Sequence, residues 1–357
     1  EERGVLYFRG ILESEEFQNW CKNNPLPFII GESVNGGLLF GDLAELRHLL
    51  IAGATGSGKS VFVNLLLLSL IINVPPDELS MYLVDPKQVE YTFFDGFPQV
   101  REIITDMKKA DWLLESLVNE MENRYTLFAK SGVKNIVSYN KNHEQKIPYI
   151  VCAIDEYADL VMENPKVENH LVRLGQKARA SGIHLIICTQ KPLADIVTSV
   201  LKSNLPSAIS FRLKTSQDYT TVFGKGIPFN LMGRGDGVAR LEGQVKEYER
   251  FQSPILTIKE DEEEDIYNQL KELFKDVVVE DIELPEVESE IDKLKRIIVN
   301  TNELRVSELG RLMSIGNNKV HALIQELVNE EWLRKEGRGY VVNVDDEELA
   351  SWRESGT

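Results

Sequence analysis

Cysteine, histidine, net positive charge and long apolar runs are all scarce in this chain of 357 residues. Its three cysteines, Cys21, Cys152 and Cys188, are spaced for neither a disulfide framework nor a zinc site. Cys152 and Cys188 fall in apolar, strand-like runs and read as buried thiols, which fits a reducing compartment. Five scattered histidines suggest no metal cluster. No stretch approaches the ~20 apolar residues that a spanning helix needs. The longest apolar run, Leu65 to Ile72, is short and broken by Ser69. The chain opens Glu1-Glu2-Arg3, without Met or a signal-peptide pattern, as a fragment would. A net charge of −17 argues against nucleic acid only if it is spread evenly. It is not: Glu260 to Asp292 holds fifteen Asp and Glu against two Lys. Such a block reads as a solvated linker, and it leaves the remainder nearly neutral, with room for local basic surfaces.

What the chain does have is Gly53-Ala54-Thr55-Gly56-Ser57-Gly58-Lys59-Ser60, a full match to the phosphate-loop pattern G-x-x-x-x-G-K-[ST]. A short apolar strand, His48 to Ala52, precedes it, and a long apolar helix opening at Val61 follows. Glycines let the backbone turn so that several N–H groups face one phosphate. The helix N-terminus adds its positive dipole end. In this pattern Lys59 reaches the β- and γ-phosphates of ATP, and the Ser60 hydroxyl binds Mg²⁺. The bland alternative is a glycine-rich turn before a core helix.

Apolar strands are expected at Leu49–Ala52, Met81–Val84, Tyr149–Ile154, His184–Cys188 and Ala208–Leu213, with helices at Ser60–Ile72, Asp106–Ser131 and Lys166–Ser181. Strands spaced by helices predict an α/β fold, a mostly parallel sheet covered on both faces. The expected division is a small mixed region over 1–45, a nucleotide-binding domain over 46–258, an acidic linker over 259–292, a winged helix over 293–342 and a tail over 343–357. The winged helix is read from three helices and a hairpin turning at Glu336–Arg338. A small helical protein-interaction domain is the competing reading.

Tyr149 to Ile154 ends in Asp155-Glu156, the pair that a Walker B strand supplies. Asp155 would join the Mg²⁺ shell and Glu156 would polarise the attacking water. A third strand ends in Thr189-Gln190, where an amide can sense the γ-phosphate or merely cap the strand. Hydrolysis in such sites is often completed by an arginine from a neighbouring subunit. Arg124, Arg179 and Arg212 are candidates, and each could equally be a surface or salt-bridged arginine.

With these motifs in place, the chain resembles the FtsK/SpoIIIE family of double-stranded DNA translocases. The matching segments are HLLIAGATGSGKS at 48–60, LVDPKQVE at 83–90, EMENRY at 120–125, GVKNIVSYN at 132–140, IDEYADL at 154–160, QKARASGIHLIICTQKP at 176–192 and GRGDG at 233–237. The resemblance implies a RecA-like motor domain carrying a small N-terminal α domain, assembled as a homohexameric ring around duplex DNA. It implies channel-facing loops with Lys134, Asn135 and Lys202, and makes Arg124 the leading candidate for the trans arginine. It also implies a DNA-reading winged helix using Asn318 and Lys319. There the family's Asn-Arg-Ala-Ala-Arg is replaced by Asn318-Lys319-Val320-His321-Ala322, so both arginines are gone. The expected setting is the cytoplasm, with any membrane tether in a segment outside this chain. A secretion-type ATPase moving protein substrates, and a regulator that binds ATP and DNA without pumping, are the alternatives.

Overall fold

In the computed structural model, which describes residues 5–279, 284–285, 289–313, 315–337, 339–345, 348–349 and 352, ten strands make one sheet. In chain order they are β1 (Pro27–Ser33), β2 (Leu38–Asp42), β3 (Leu49–Ala52), β4 (Leu79–Val84), β5 (Val100–Ile104), β6 (Tyr149–Ile154), β7 (Ile183–Thr189), β8 (Ser207–Phe211), β9 (Asp236–Arg240) and β10 (Glu249–Gln252). The order across the sheet is β2-β1-β10-β9-β8-β3-β7-β6-β4-β5. From β8 to β5 all neighbours run parallel, and from β9 to β2 they alternate. Of the five expected strands, Leu49–Ala52 and Tyr149–Ile154 match at both ends and the other three are shifted by one or two residues, while β5, β9 and β10 add to them.

Strands β3, β4, β6, β7 and β8 are buried along their whole length, which is why they read as continuous apolar runs rather than alternating ones. The helix Lys59–Asn73 is buried around most of its girth and packs on β1. Ser69, the polar break in its apolar run, donates to the Leu65 carbonyl at 2.8 Å and accepts from the Ile29 N–H of β1 at 3.3 Å. That second bond falls at the irregularity in the β1–β2 register.

The chain divides into two compact units, Glu1–Pro285 and Glu286–Thr357. Two boundaries therefore differ from expectation. The first 45 residues are not set apart, because β1 pairs with β10 and so continues the central sheet. The acidic stretch is not all linker either. Its helix Glu263–Glu272 buries Tyr267, which stacks on Phe93 at 5.2 Å between ring centroids and meets Phe94 edge-on at 5.4 Å. Leu270 and Phe274 pack beside it. Tyr267 and Leu270 follow the i, i+3 spacing of one helical stripe, Phe274 adds to it from the turn after the helix, and this apolar face prevails over the surrounding charge. Residues 280–283 and 286–288 of the expected linker lie outside the described residues.

The second unit contains helices Glu290–Thr301, Val306–Met313 and Asn317–Asn329, then a hairpin of β11 (Leu333–Glu336) and β12 (Gly339–Val342). Its core is Leu294, Ile298, Leu309, Val320, Ile324, Leu327 and Trp332. Gly310 lets the turn that follows the helix Val306–Met313 close against it: a Cβ there would lie 2.9 Å from the Ile315 carbonyl oxygen. Arg338 of the expected hairpin turn, and much of the tail 343–357, lie outside the described residues.

Candidate nucleotide site

The carboxyl ends of β3, β4, β6 and β7 are in register, with Ala52 opposite Thr189 and Val84 opposite Ile154. Every chemistry-bearing segment leaves the sheet along this edge, where ligands of open α/β folds bind. The phosphate loop leaves β3 with its Gly53 N–H bonded to the Thr189 carbonyl at 3.1 Å. It ends at Gly58, whose φ of +103° no L side chain adopts easily. A Cβ on Gly58 would also sit 2.4 Å from the Gly235 nitrogen. Gly235 donates to the Ser57 carbonyl at 2.9 Å, so the Gly233–Gly237 segment braces the loop from outside. The helix that starts at Lys59 has no side-chain cap. Its first N–H groups have no intrahelical acceptor and are free for an anion.

The side chains are held in pairs. Lys59 is buried, and its Nζ donates to Asp155 Oδ1 at 3.0 Å and to the Asp155 carbonyl at 3.2 Å. Burial works against the Lys59 charge, but Asp155 and its hydrogen bond outweigh that and hold the pKa above its ordinary value. Ser60 donates from Oγ to Glu90 Oε1 at 2.8 Å. Burial pushes the Glu90 carboxyl upward, against the effect of that bond. Glu156 accepts from the Thr189 hydroxyl at 2.7 Å and from the Gln190 N–H at 2.9 Å. Gln190 in turn accepts from the Thr55 hydroxyl at 3.0 Å. The carboxylate that would activate water, the amide that would sense phosphate and the phosphate loop thus form one chain of hydrogen bonds.

These residues fit a magnesium nucleotide. Magnesium takes oxygen donors, keeps several waters and usually leans on one or two carboxylates plus substrate phosphates. Ser60 and Asp155 are such donors. Among the described residues there is no cluster of three or more His, Cys, Asp or Glu that would cage a metal without the nucleotide.

Other expected residues stand elsewhere. Arg124 does not meet the requirements of a trans arginine. It is 3% exposed, with Nε on Glu120 at 2.7 Å and Nη1 on the Pro148 and Ser181 carbonyls at 2.9 and 2.8 Å. Those carbonyls lie just before β6 and β7, at the sheet edge away from the phosphate loop. An arginine so fully engaged cannot reach another subunit without undoing its own fold. Arg179 is exposed, makes no ion pair among the described residues, and lines a cleft of about 1040 Å³ together with Lys22, Arg47 and Asn135. Arg212 is exposed and reaches the Met232 carbonyl at 3.5 Å. Lys134 is exposed, whereas Asn135 caps the helix Ile136–Asn142 by accepting from Ser138 N–H at 2.9 Å. Lys202 is half-buried on the helix Ser199–Asn204. Asn318 is exposed at the start of its helix, but Lys319 is ion-paired with Glu290.

Sequence reasoning assigned no role to Asp85 and Glu90. Asp85 Oδ2 accepts from the N–H groups of Val89, Glu90 and Tyr91 at 2.9, 2.9 and 3.0 Å. The signal available was Asp85-Pro86 closing an apolar strand. Cys152 and Cys188 are buried, and burial pushes both thiols up to about 12, so neither is a nucleophile.

The sheet, the braced loop and the carboxylate pair at the end of β6 define a P-loop ATPase. The FtsK/SpoIIIE family model matches residues 8–194, and the chain belongs to that family. It is 37% identical over 341 residues to the DNA translocase FtsK of Clostridium tetani, covering 90% of this chain and 45% of that protein. It is 38% identical over 317 residues to the DNA translocase SpoIIIE of Bacillus subtilis, covering 84% and 42%. The chain thus spans less than half the length of these curated relatives. Among solved structures, the pCW3 conjugation coupling protein TcpA with ATPγS is 26% identical with a TM-score of 0.62, over 76% of this chain and 75% of that one. ATPases 2 and 3 of EssC from Geobacillus thermodenitrificans share the fold, at 21% identity and a TM-score of 0.64, over 77% and 54%. Among the described residues no helix is long and apolar enough to cross a membrane.

Proposed function

We propose that this chain is the motor and DNA-reading part of an ATP-driven hexameric ring that moves double-stranded DNA, in chromosome segregation or DNA transfer. One observation carries the reading. Relatives named as DNA translocases align over 90% of the chain, more than the first unit alone could supply. The alternative of moving protein substrates draws on the likeness to EssC, which at 21% identity speaks for the fold alone.

In this reading ATP enters over the uncapped helix, and Lys59 exchanges Asp155 for the β- and γ-phosphates. Ser60 and Asp155 would hold Mg²⁺, which when bound would offset the charge developing on the phosphates. Glu156 leaves Thr189 and Gln190 to orient the attacking water. Gln190, through Thr55, reports loss of the γ-phosphate to the loop. Arg179 replaces Arg124 as the residue offered to a neighbouring subunit. Lys134 and Lys202 contact DNA phosphates without reading sequence, so binding weakens steeply with salt. The second unit reads bases as a winged helix through Asn318, with Lys319 exchanging Glu290 for phosphate. The setting is the cytoplasm, with any tether outside this chain. The test is ATP hydrolysis with and without linear duplex DNA. A several-fold rise is expected, and a rate indifferent to DNA removes the translocase reading.

A further inference from the structure

The turn after β4 is tied down more firmly than a connection needs. Asp85 gathers three successive N–H groups at its far end. Gln88 sits at a φ of +56°, a left-handed conformation that few residues other than glycine adopt. Lys87 is ion-paired at 2.8 Å with Asp159, three residues beyond Glu156. The product of these restraints is the position of one carboxylate, Glu90, on the Ser60 hydroxyl. It is half-buried among charged groups of the nucleotide site, with Lys59, Asp85 and Asp155 near enough to act on it.

We propose that Glu90 is a further carboxylate of the metal site. It holds Ser60 while the metal is absent and turns to the metal's water shell once Ser60 becomes a ligand. The two pairs are then parallel devices: Asp155 keeps Lys59 and Glu90 keeps Ser60. A magnesium nucleotide replaces both carboxylates at once and leaves them facing the cation. Magnesium retains several waters, and carboxylates that accept from such waters set both the orientation and the affinity of the ion. Without metal, the same charge opposes the phosphates. Glu90 is thus a positioning residue that makes nucleotide binding depend on the cation.

This inference rests on the nucleotide site proposed above, and its test separates the two. Affinity for a fluorescent ADP analogue is measured in EDTA, and Mn²⁺ affinity by electron paramagnetic resonance at saturating ADP. For Glu90→Gln, Mn²⁺ affinity is expected to fall about 10–100-fold. Metal-free nucleotide affinity rises instead, by about fivefold, because a repelling charge is gone. Glu90→Asp keeps the charge and shortens the reach, so it returns metal-free affinity to wild type while Mn²⁺ binding stays weakened. Val89→Ala, at an exposed neighbour, changes neither. Mn²⁺ affinity within twofold of wild type, or a parallel loss of both affinities, overturns the role of Glu90. Failure of the wild-type chain to bind the ADP analogue overturns the site reading instead.

Discussion

The two edges of the central sheet both bury charged and polar groups, but they pair them differently. At the carboxyl edge each group has a side-chain partner, Lys59 with Asp155, Ser60 with Glu90, Glu156 with Thr189 and Gln190 with Thr55, and backbone contacts of Lys59 and Glu156 stand beside these pairs. At the amino edge every group has a backbone partner, with the Glu120 side chain added at Arg124. Arg124 holds two carbonyls, His48 accepts from the Leu185 N–H at 3.0 Å, and His184 meets the Arg47 carbonyl at 2.6 Å. A ligand can replace a side-chain partner, because both groups swing away and find new ones. It cannot replace a carbonyl that the fold itself immobilises. The carboxyl edge is thus an exchangeable set and the amino edge a permanent one.

The largest test of that contrast uses the arginines. Arg179→Ala is expected to cost turnover about 10³–10⁵-fold with stability within about 0.5 kcal/mol of wild type. Mixing Arg179→Ala with Lys59→Ala subunits restores part of the ATPase rate if the arginine works in trans; no recovery at any ratio removes that role. Next, Glu156→Gln is expected to keep nucleotide binding and lose about 10²–10⁴ in turnover. A retained single-turnover rate would displace Glu156 as the base. Arg124→Ala works the other way. It strands Glu120 and the Pro148 and Ser181 carbonyls, at about 3–5 kcal/mol of unfolding free energy in urea, while turnover per folded molecule stays near wild type. A stable, inactive Arg124→Ala would move Arg124 into the exchangeable set.

The smallest effect is a pH dependence. Burial holds His48 at about 3 and His184 at about 4, below the ordinary value near 6.5. The unfolded chain therefore binds more protons than the folded one as pH falls below about 6.5. Stability is intact above that pH and lost on the way down to 4, by about 2 kcal/mol per histidine at pH 5. Urea midpoints at pH 7 and pH 5 measure it, and His184→Gln is expected to flatten the profile. A profile as steep in that variant would place the acid sensitivity elsewhere.

The exchangeable edge was the more legible of the two. Its loop, Asp155, Glu156 and Gln190 follow directly from motifs at strand ends. Glu90 escaped because its role depends on a turn folding back across β4 to the start of the loop helix, which sequence distance conceals. The surroundings of Arg124 were hidden for a related reason. A helical arginine four residues after Glu120 looks the same whether it faces water or two backbone carbonyls. Antiparallel β1 and β2 passed for a separate region because their partner, β10, comes more than 200 residues later. Lys319 reads as free until Glu290, on another helix, is seen to hold it.

The docked helix Glu263–Glu272 has an effect at longer range. Tyr267 anchors a sequence whose exposed side carries Asp261, Glu262, Glu264, Asp265 and Glu272. Loose, those carboxylates would sample many positions and their field would average away. Glu262 and Glu272 are ion-paired with Lys259 and Lys275, but Asp261, Glu264 and Asp265, fastened to the first unit, make a standing negative patch, felt over roughly a Debye length of about 8 Å at physiological salt. A polyanion is repelled from this flank before any contact forms. One buried ring thereby converts a run of acid into a signpost for the side from which polyanions are repelled.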